Sequence, residues 1–310
     1  MEQSAMASNR PVATSRSPGG FGHRIRRSSK LGMIFAAAVT VFYAIVFIIP
    51  FGTAIWLSFH NWDYITIPRF VGVRNYVKLF QSAQFWQAVW TTVKFSFTEI
   101  TVAVTLALLL ALMLSRMRGK WEGLYLTLYY LPMITPSVVS VYLWRWLYTP
   151  TGGVFNTILK SIGLREQPFL ASTQQALWCV TAMIIWMNVG GAAVILLAGI
   201  KDIPQAMFDA AKIDGAGFWQ MFFKIIIPLI QPVLVYQIVV SVIGTVQMFD
   251  PFFLMPGPGN STRTLAPYAY QLGFQTLNLG FGAATSMFIF LMLLVATIFQ
   301  LQRWQVNWEY

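Results

Sequence analysis

Long apolar runs separated by short polar connections set the pattern of this chain. The first run covers residues 31–58 and holds no charged residue. Others follow at about 90–114, 124–147, 176–200, 225–249 and 281–300. Each has roughly the 20 residues a helix needs to cross a hydrocarbon core about 30 Å thick. In lipid the backbone must satisfy its own polar groups, so these runs predict helices rather than open sheets. The expected fold is an all-α membrane protein with six transmembrane helices and both termini on one side. Residues 1–30 are rich in Ser, Gly, Pro and Arg, lack apolar periodicity and read as a disordered basic tail. The remaining divisions are a first helix at 31–58, an outer polar segment at 59–89, a five-helix core at 90–302 and a short tail at 303–310.

Composition supports the membrane reading. The chain is 57% hydrophobic and only 10% charged, against about 25% charged in soluble domains. Its formal charge of +11 need not mean nucleic acid, because basic residues flank the apolar runs, where they anchor to headgroups. Arg26-Arg27 precedes the first run as in an export signal. That run is too long for a signal core and reads as an uncleaved anchor. With the N-terminus inside, thirteen Lys and Arg fall on inner segments and eight on outer ones. That count puts the 201–224 loop on the cytoplasmic side. Cys179 has no cysteine to pair with in the chain. His23 and His60 lack a second ligand at metal spacing, so no metal site is expected. No GxxxxGK[ST] phosphate loop occurs, so ATP chemistry must reside elsewhere.

The loop at 201–224 is unusually structured for a polar connection. Asp202 is a candidate N-cap and Pro204 suits a first helical turn. Gln205 to Ile213 then forms a short helix, which Asp214-Gly215 ends with glycine in the left-handed region. Phe218 to Lys224 starts the next helix. Met207, Phe208, Ile213, Phe218, Met221 and Phe222 are too apolar for a solvated loop. They either pack against the loop's own helix ends or fill a groove on a cytoplasmic partner.

Polar positions inside the runs mark a bundle interior. Gln237, Ser241 and Thr245 recur at spacing four, one helix face. Ser137 and Ser140 follow Pro136, and Asn188 sits beside Gly190-Gly191. These neutral groups suit sugar hydroxyls, and equally suit helix-to-helix contacts. Lys94 and Glu99 lie in the second run. Lys94 reaches the interface, while Glu99 pairs with Lys94 or Arg145 or carries a proton.

Asp209-Ala210-Ala211, then Gly215, Ile225 and Ile227-Pro228, resembles the EAA signature of binding-protein-dependent ABC importer permeases. Val71-Gly72-Val73-Arg74-Asn75-Tyr76, Leu131-Pro132 with Gly153 and Asn156, and Phe249-Asp250 with Gly257-Pro258, Thr262 and Tyr270 extend the likeness. So does Gly280 with Ala283-Ala284. From about residue 30 onward the chain resembles the maltose and glycerol-3-phosphate permease branch, as the first of two permease subunits. Asp209 stands where the family has glutamate, and Ile227 where it has leucine.

The resemblance implies a type I, MetI-like importer bundle that is not itself an enzyme. It implies a coupling helix at Met207, Phe208, Asp209, Ala210, Ala211, Asp214, Gly215 and Phe218, seated on an ATPase subunit dimer that binds the ATP and magnesium. It also implies a second permease subunit, an extracytoplasmic solute-binding protein and a location in the bacterial inner membrane. For the solute it raises Ser137, Asn188, Ser241 and Thr245 alongside Gln237, with Met133 and Gly244 in the same register. The expected cargo is a sugar or sugar/polyol derivative. A gradient-driven transporter, or a permease of the same kind for another solute, are the rival readings.

Overall fold

The computed structural model describes residues 21–117 and 119–303. Of the tails expected at 1–30 and 303–310, residues 1–20 and 304–310 lie outside the described residues, and Arg303 ends the last helix. From Phe21 the backbone is already helical. Helix covers Phe21–Tyr43, a π-helical turn Ala44–Ile48, and helix again Ile49–Ser58. The part through Thr53 is a unit of its own.

The second unit begins at Ala54. Its spans are Ala83–Ser115, Ala176–Lys201, Gln231–Leu254 and Leu279–Arg303, with a broken one between the first two. The third span, expected as one helix over 124–147, is two helices. Lys120–Ile134 and Ser137–Leu147 meet at 93°. Thr135 takes an extended conformation before Pro136, because the proline ring crowds the helical region of the residue that precedes it. The fifth span, expected from 225, is also interrupted. A π-helical turn at Phe222–Ile226 leads into Ile227-Pro228-Leu229, and regular helix resumes at Gln231.

The second and fourth spans share the most extensive contact between elements of the described chain. Small residues make it possible, since a membrane offers no hydrophobic drive between helices and close backbone approach must supply the attraction. Ala103, Ala107 and Ala111 recur at spacing four, and all are buried. On the fourth span, a Cβ added at Gly190 would lie 1.8 Å from the Tyr129 carbonyl oxygen, and one at Gly191 would lie 2.2 Å from Met133 Sδ. Only glycine lets the first half of the broken span approach so closely.

Apolar side chains gather in separate clusters along these helices. One joins Leu110, Ala111, Leu112, Leu114, Leu196, Leu197, Ile200 and Ile226. A second joins Phe95, Val141, Met183, Ile184 and Phe252. A third holds Leu79, Phe85, Leu265 and Tyr268.

Several residues of the family pattern fasten loops. Asn75 donates to the carbonyls of Ser58 at 2.9 Å and His60 at 3.0 Å. Those contacts brace a two-residue ladder of His60–Asn61 against Arg69–Phe70. Asn156 donates to Pro150 and Gln167 carbonyls and accepts from the Gln167 amide, each at 2.8 Å. Thr262 accepts from the Gly257 amide at 2.7 Å. Buried loop backbone needs such partners, and amide side chains supply donor and acceptor together.

Candidate functional site: a mid-span cavity and an inner elbow

The polar residues of the second, fourth and fifth spans meet around one cavity. Along the second span, Glu99 falls between Phe95 of one apolar cluster and Ala107 of another. Along the fourth, Asn188 falls between Ile184 and Ala192 in the same way. The cavity has a volume of 340 Å³, and Glu99, Asn188, Gln237, Ser241, Gly244 and Thr245 are in its wall. Met133 is there too. Of the predicted pathway residues, only Ser137 lies elsewhere. It lines a neighbouring cavity of 380 Å³ that shares Asn188 and Met248 with the first and includes Asp250. The 93° break sets Ser137 at the start of a new helix, so it does not continue the face of the helix before it.

Glu99 does not form the ion pair that was one of its expected roles. Asn188 Nδ2 donates to Glu99 Oε1 at 2.8 Å, linking the second and fourth spans. Neither Lys94 nor Arg145 pairs with it. Lys94 Nζ sits 5.6 Å from the centre of the Trp90 ring, and Arg145 Nη1 donates to the Leu254 carbonyl at 3.2 Å. Glu99 is 2% exposed, and its Oε2 has no hydrogen-bond partner among the described residues. Gln237 repeats the situation. Its Nε2 donates to Ser241 Oγ at 3.2 Å, while its Oε1 is buried without a partner. A buried acceptor left unpaired costs about 1–3 kcal/mol. The Thr245 hydroxyl is committed to its own helix, donating to the Ser241 carbonyl at 2.8 Å. Thr245 thus shapes the wall without offering a free donor.

At the inner end of the same helices lies the elbow. Asp202 does not cap the short helix. It ends the fourth span, with its amide donating to the Ala198 carbonyl at 3.0 Å, and Pro204 precedes the helix Gln205–Ile213. Pro204 takes the cap position itself, and its carbonyl accepts from the Met207 amide at 3.0 Å. The far end follows the expectation. Gly215 has φ +75°, its amide donates to the Lys212 carbonyl at 3.1 Å, and the Ala216 amide donates to the Ala211 carbonyl at 2.9 Å. That pair of bonds is a Schellman closure. Gln220 Oε1 then accepts from the Gly217 amide at 2.9 Å, closing the first turn of the next helix.

The elbow's apolar groups divide between both expected uses. Phe208 and Phe222 pack on the cluster beneath. Met207, Phe218, Trp219 and Phe223 are exposed, and Ile213 is 86% exposed. Arg116 stacks over the Phe218 ring at 4.5 Å. Ala210, Asp209 and Asp214 are exposed, and Ala211 is half-buried. Asp209 bonds Gln205 at 3.2 Å and Lys212 at 3.3 Å. Those two contacts, the Gln205 bond first, hold its carboxyl below the usual carboxylate range. A cavity of 320 Å³ opens between the elbow and the span ends, lined by Arg116, Lys201, Phe208, Lys212 and Phe218 among others. Lys201 also forms an ion pair with Glu122, tying the fourth span to the third. Trp219 and Phe223 escaped the sequence reading. Trp219 follows Phe218 and Phe223 follows Phe222, within the helix start already expected at Phe218 to Lys224.

A bundle of apolar helices, with a polar mid-span cavity and a structured loop at one end, defines a helical membrane permease. The chain belongs to the family described as the binding-protein-dependent transport system inner membrane component, which matches residues 103–307. It is 31% identical over 283 residues to the trehalose/maltose transport system permease protein MalF of Thermococcus litoralis, covering 89% of this chain and 94% of that protein. It is 31% identical over 280 residues to the sn-glycerol-3-phosphate transport system permease protein UgpA of Escherichia coli O157:H7, covering 88% and 94%. Its fold superposes with a TM-score of 0.80 on a bacterial ABC transporter involved in the import of the acidic polysaccharide alginate. The identity there is 25%, covering 92% of this chain and all of that one. The chain is therefore a transport component, a multi-pass ABC importer permease with a MetI-like fold.

Proposed function

We propose that this chain forms part of the translocation pathway of an ATP-driven importer for a sugar or sugar/polyol derivative. One observation carries the reading: the cavity and the elbow share two helices. The fourth span runs from Asn188 to the elbow at Ile203, and the fifth returns from Phe218 to Gln237. Movement of the elbow is thus conveyed to both cavity walls. The relatives support a hydroxylated cargo, since their names specify trehalose, maltose and glycerol phosphate.

In this reading Met207, Asp209, Ala210, Asp214 and Phe218 meet an ATPase subunit dimer, which binds ATP and magnesium. Phe208, Ala211 and Gly215 shape the elbow beneath them. ATP shifts the assembly only if it binds one global state more tightly than the other. A second permease subunit completes the pathway and an extracytoplasmic binding protein delivers the solute. The alginate importer solved with a solute-bound periplasmic protein is a precedent for that delivery. Both termini face the cytoplasm of a bacterial inner membrane, as the thirteen-to-eight distribution of Lys and Arg favours.

The test is uptake by the assembled importer in proteoliposomes, with and without a disabled phosphate loop in the ATPase. Loss of uptake is expected; continued uptake would assign the chain to gradient-driven transport. Thiol labelling at an introduced Ala216→Cys checks the topology, and labelling from the outer side would reverse it.

A further inference from the structure

The cavity behind the elbow carries an uncompensated positive charge. Its wall includes Arg116, Lys201 and Lys212 and no carboxylate. Two of these cations have acid partners from outside the wall, Lys201 with Glu122 and Lys212 with Asp209. Among the described residues Arg116 has none; its guanidinium stands over the Phe218 ring. All three side chains belong to exposed residues, and each cation has more N–H donors than its present contacts use. An arginine fork with two ammonium groups beside it suits the oxygens of a phosphate.

The place of the cavity decides which phosphate. Arg116 is the C-cap of the second span, Lys201 ends the fourth, and Lys212 lies in the elbow helix. The same wall holds Leu112, Ile200 and Ile226, which are buried in the apolar cluster at the span ends. Cations thus line a cavity whose floor is apolar, at the level where the spans leave the hydrocarbon. Trp121 and Trp219, at the starts of neighbouring helices, are exposed, as aromatic rings at a headgroup layer are. A free anion uses only the cations of such a cavity, whereas a lipid uses the cations and the apolar floor together. Its 320 Å³ falls at the small end of ligand sites, about 300–1,000 Å³.

We propose that this cavity binds the phosphodiester headgroup of an anionic phospholipid from the inner leaflet, held by Arg116 and Lys212 with Lys201 alongside. The proposal rests on the cytoplasmic placement of the elbow given above. Basic pockets between spans on that side collect anionic headgroups. The second span, the fourth span and the elbow each supply one cation, so a bound headgroup braces the elbow against the two helices that carry Glu99 and Asn188.

The experiment titrates the complete importer, purified in detergent, with phosphatidylglycerol or phosphatidylcholine and counts bound lipid by native mass spectrometry. In detergent no lipid surface attracts distant charges, so only contacts are read. The variants are Arg116→Gln with Lys212→Gln, the charge-keeping Arg116→Lys with Lys212→Arg, and Lys224→Gln, an exposed cation outside the cavity wall. Phosphatidylglycerol should bind in preference to phosphatidylcholine, and excess inorganic phosphate should leave it in place. At about 1 kcal/mol for each cation, the glutamine pair should weaken binding at least tenfold. The charge-keeping pair should stay within about threefold and Lys224→Gln within about twofold of wild type.

Four results overturn the proposal: equal binding of the two lipids, wild-type affinity in the glutamine pair, an equal loss in Lys224→Gln, or displacement by inorganic phosphate, which assigns the cavity to a free anion. Should the glutamine pair fail to assemble, Lys212→Gln alone decides, with several-fold weaker binding expected and unchanged binding overturning the site. Labelling of Ala216→Cys from the outer side breaks the topology instead, so the two failures are separable.

Discussion

The cavity and the elbow lie on the same pair of helices and solve opposite problems. Around the cavity, polar groups are buried and some lack partners, while the apolar side chains are satisfied in clusters above and below. At the elbow the backbone is closed at Gly215 and Gly217, while Met207, Ile213, Phe218, Trp219 and Phe223 stand exposed. Each region is incomplete in the currency the other has settled. The cavity wall has buried polar atoms without partners and the elbow lacks apolar cover. A small hydroxylated molecule suits the first and a protein groove suits the second.

The comparison breaks most severely at Gly190. Its Cβ would lie 1.8 Å from a main-chain oxygen, and backbone cannot rotate away as a side chain can. Gly190→Val should cost at least about 1–3 kcal/mol by overpacking, prising Tyr129 from the fourth span. The yield and thermal midpoint of the purified importer should both fall, and an unchanged midpoint would mean the two helices do not meet there.

Next in size is Met207→Ser with Phe218→Ser. Truncating buried anchors at a docked interface costs about 2 kcal/mol or more each, so uptake and stimulated ATP hydrolysis should drop at least tenfold. The fold should persist, because both side chains are exposed in this chain. Co-purification of the ATPase at wild-type levels would show that the elbow seats differently.

Gly215→Val acts more locally. Nothing lies within 4 Å of its added Cβ, so the penalty is conformational alone. A left-handed valine costs about 1–2 kcal/mol, loosening the Schellman closure. Uptake should fall several-fold while ATP hydrolysis continues, and matched losses of the two would argue against a coupling role.

Asp209→Asn should have the smallest effect. Its carboxyl pKa is depressed by Gln205 and Lys212, so the ionised form contributes stability above the unfolded value, near 3.9. That contribution is lost only as pH falls through the lower folded value. Between pH 6 and 8 the variant lacks that contribution, so its thermal midpoint should lie slightly below wild type, the gap closing in acid. The group is fully exposed, which limits the contribution further. A large neutral-pH loss of transport without a stability change would make Asp209 a direct contact with the ATPase.

Much of the fold was legible because lipid imposes a length and an apolar composition on every span. The elbow helix was legible too, through Gly215 and the charge change around it. Three features were not. The right-angle break at Thr135-Pro136 depends on the proline's neighbours, and a proline within an apolar run is compatible with a straight, kinked or broken helix. The Asp202 assignment failed because a carboxylate before a helix reads as a cap whether or not the chain turns toward it, and here Pro204 occupies the cap position. For Glu99, the ion pair with Lys94 or Arg145 does not form. Lys94 is near in sequence, whereas Asn188 is reached only through the packing of the second span, with its buried Ala103 and Ala107, on the fourth.

The wide turn at Phe222–Ile226, followed by Pro228, sits between the elbow and the wall bearing Gln237. A π-turn spreads its bonds over an extra residue, and proline contributes no amide to the next one. That stretch therefore has less bending stiffness than the regular helix on either side. A pull on the inner end would be taken up there first as a swivel, turning the Gln237 face about the helix axis before the whole rod translates.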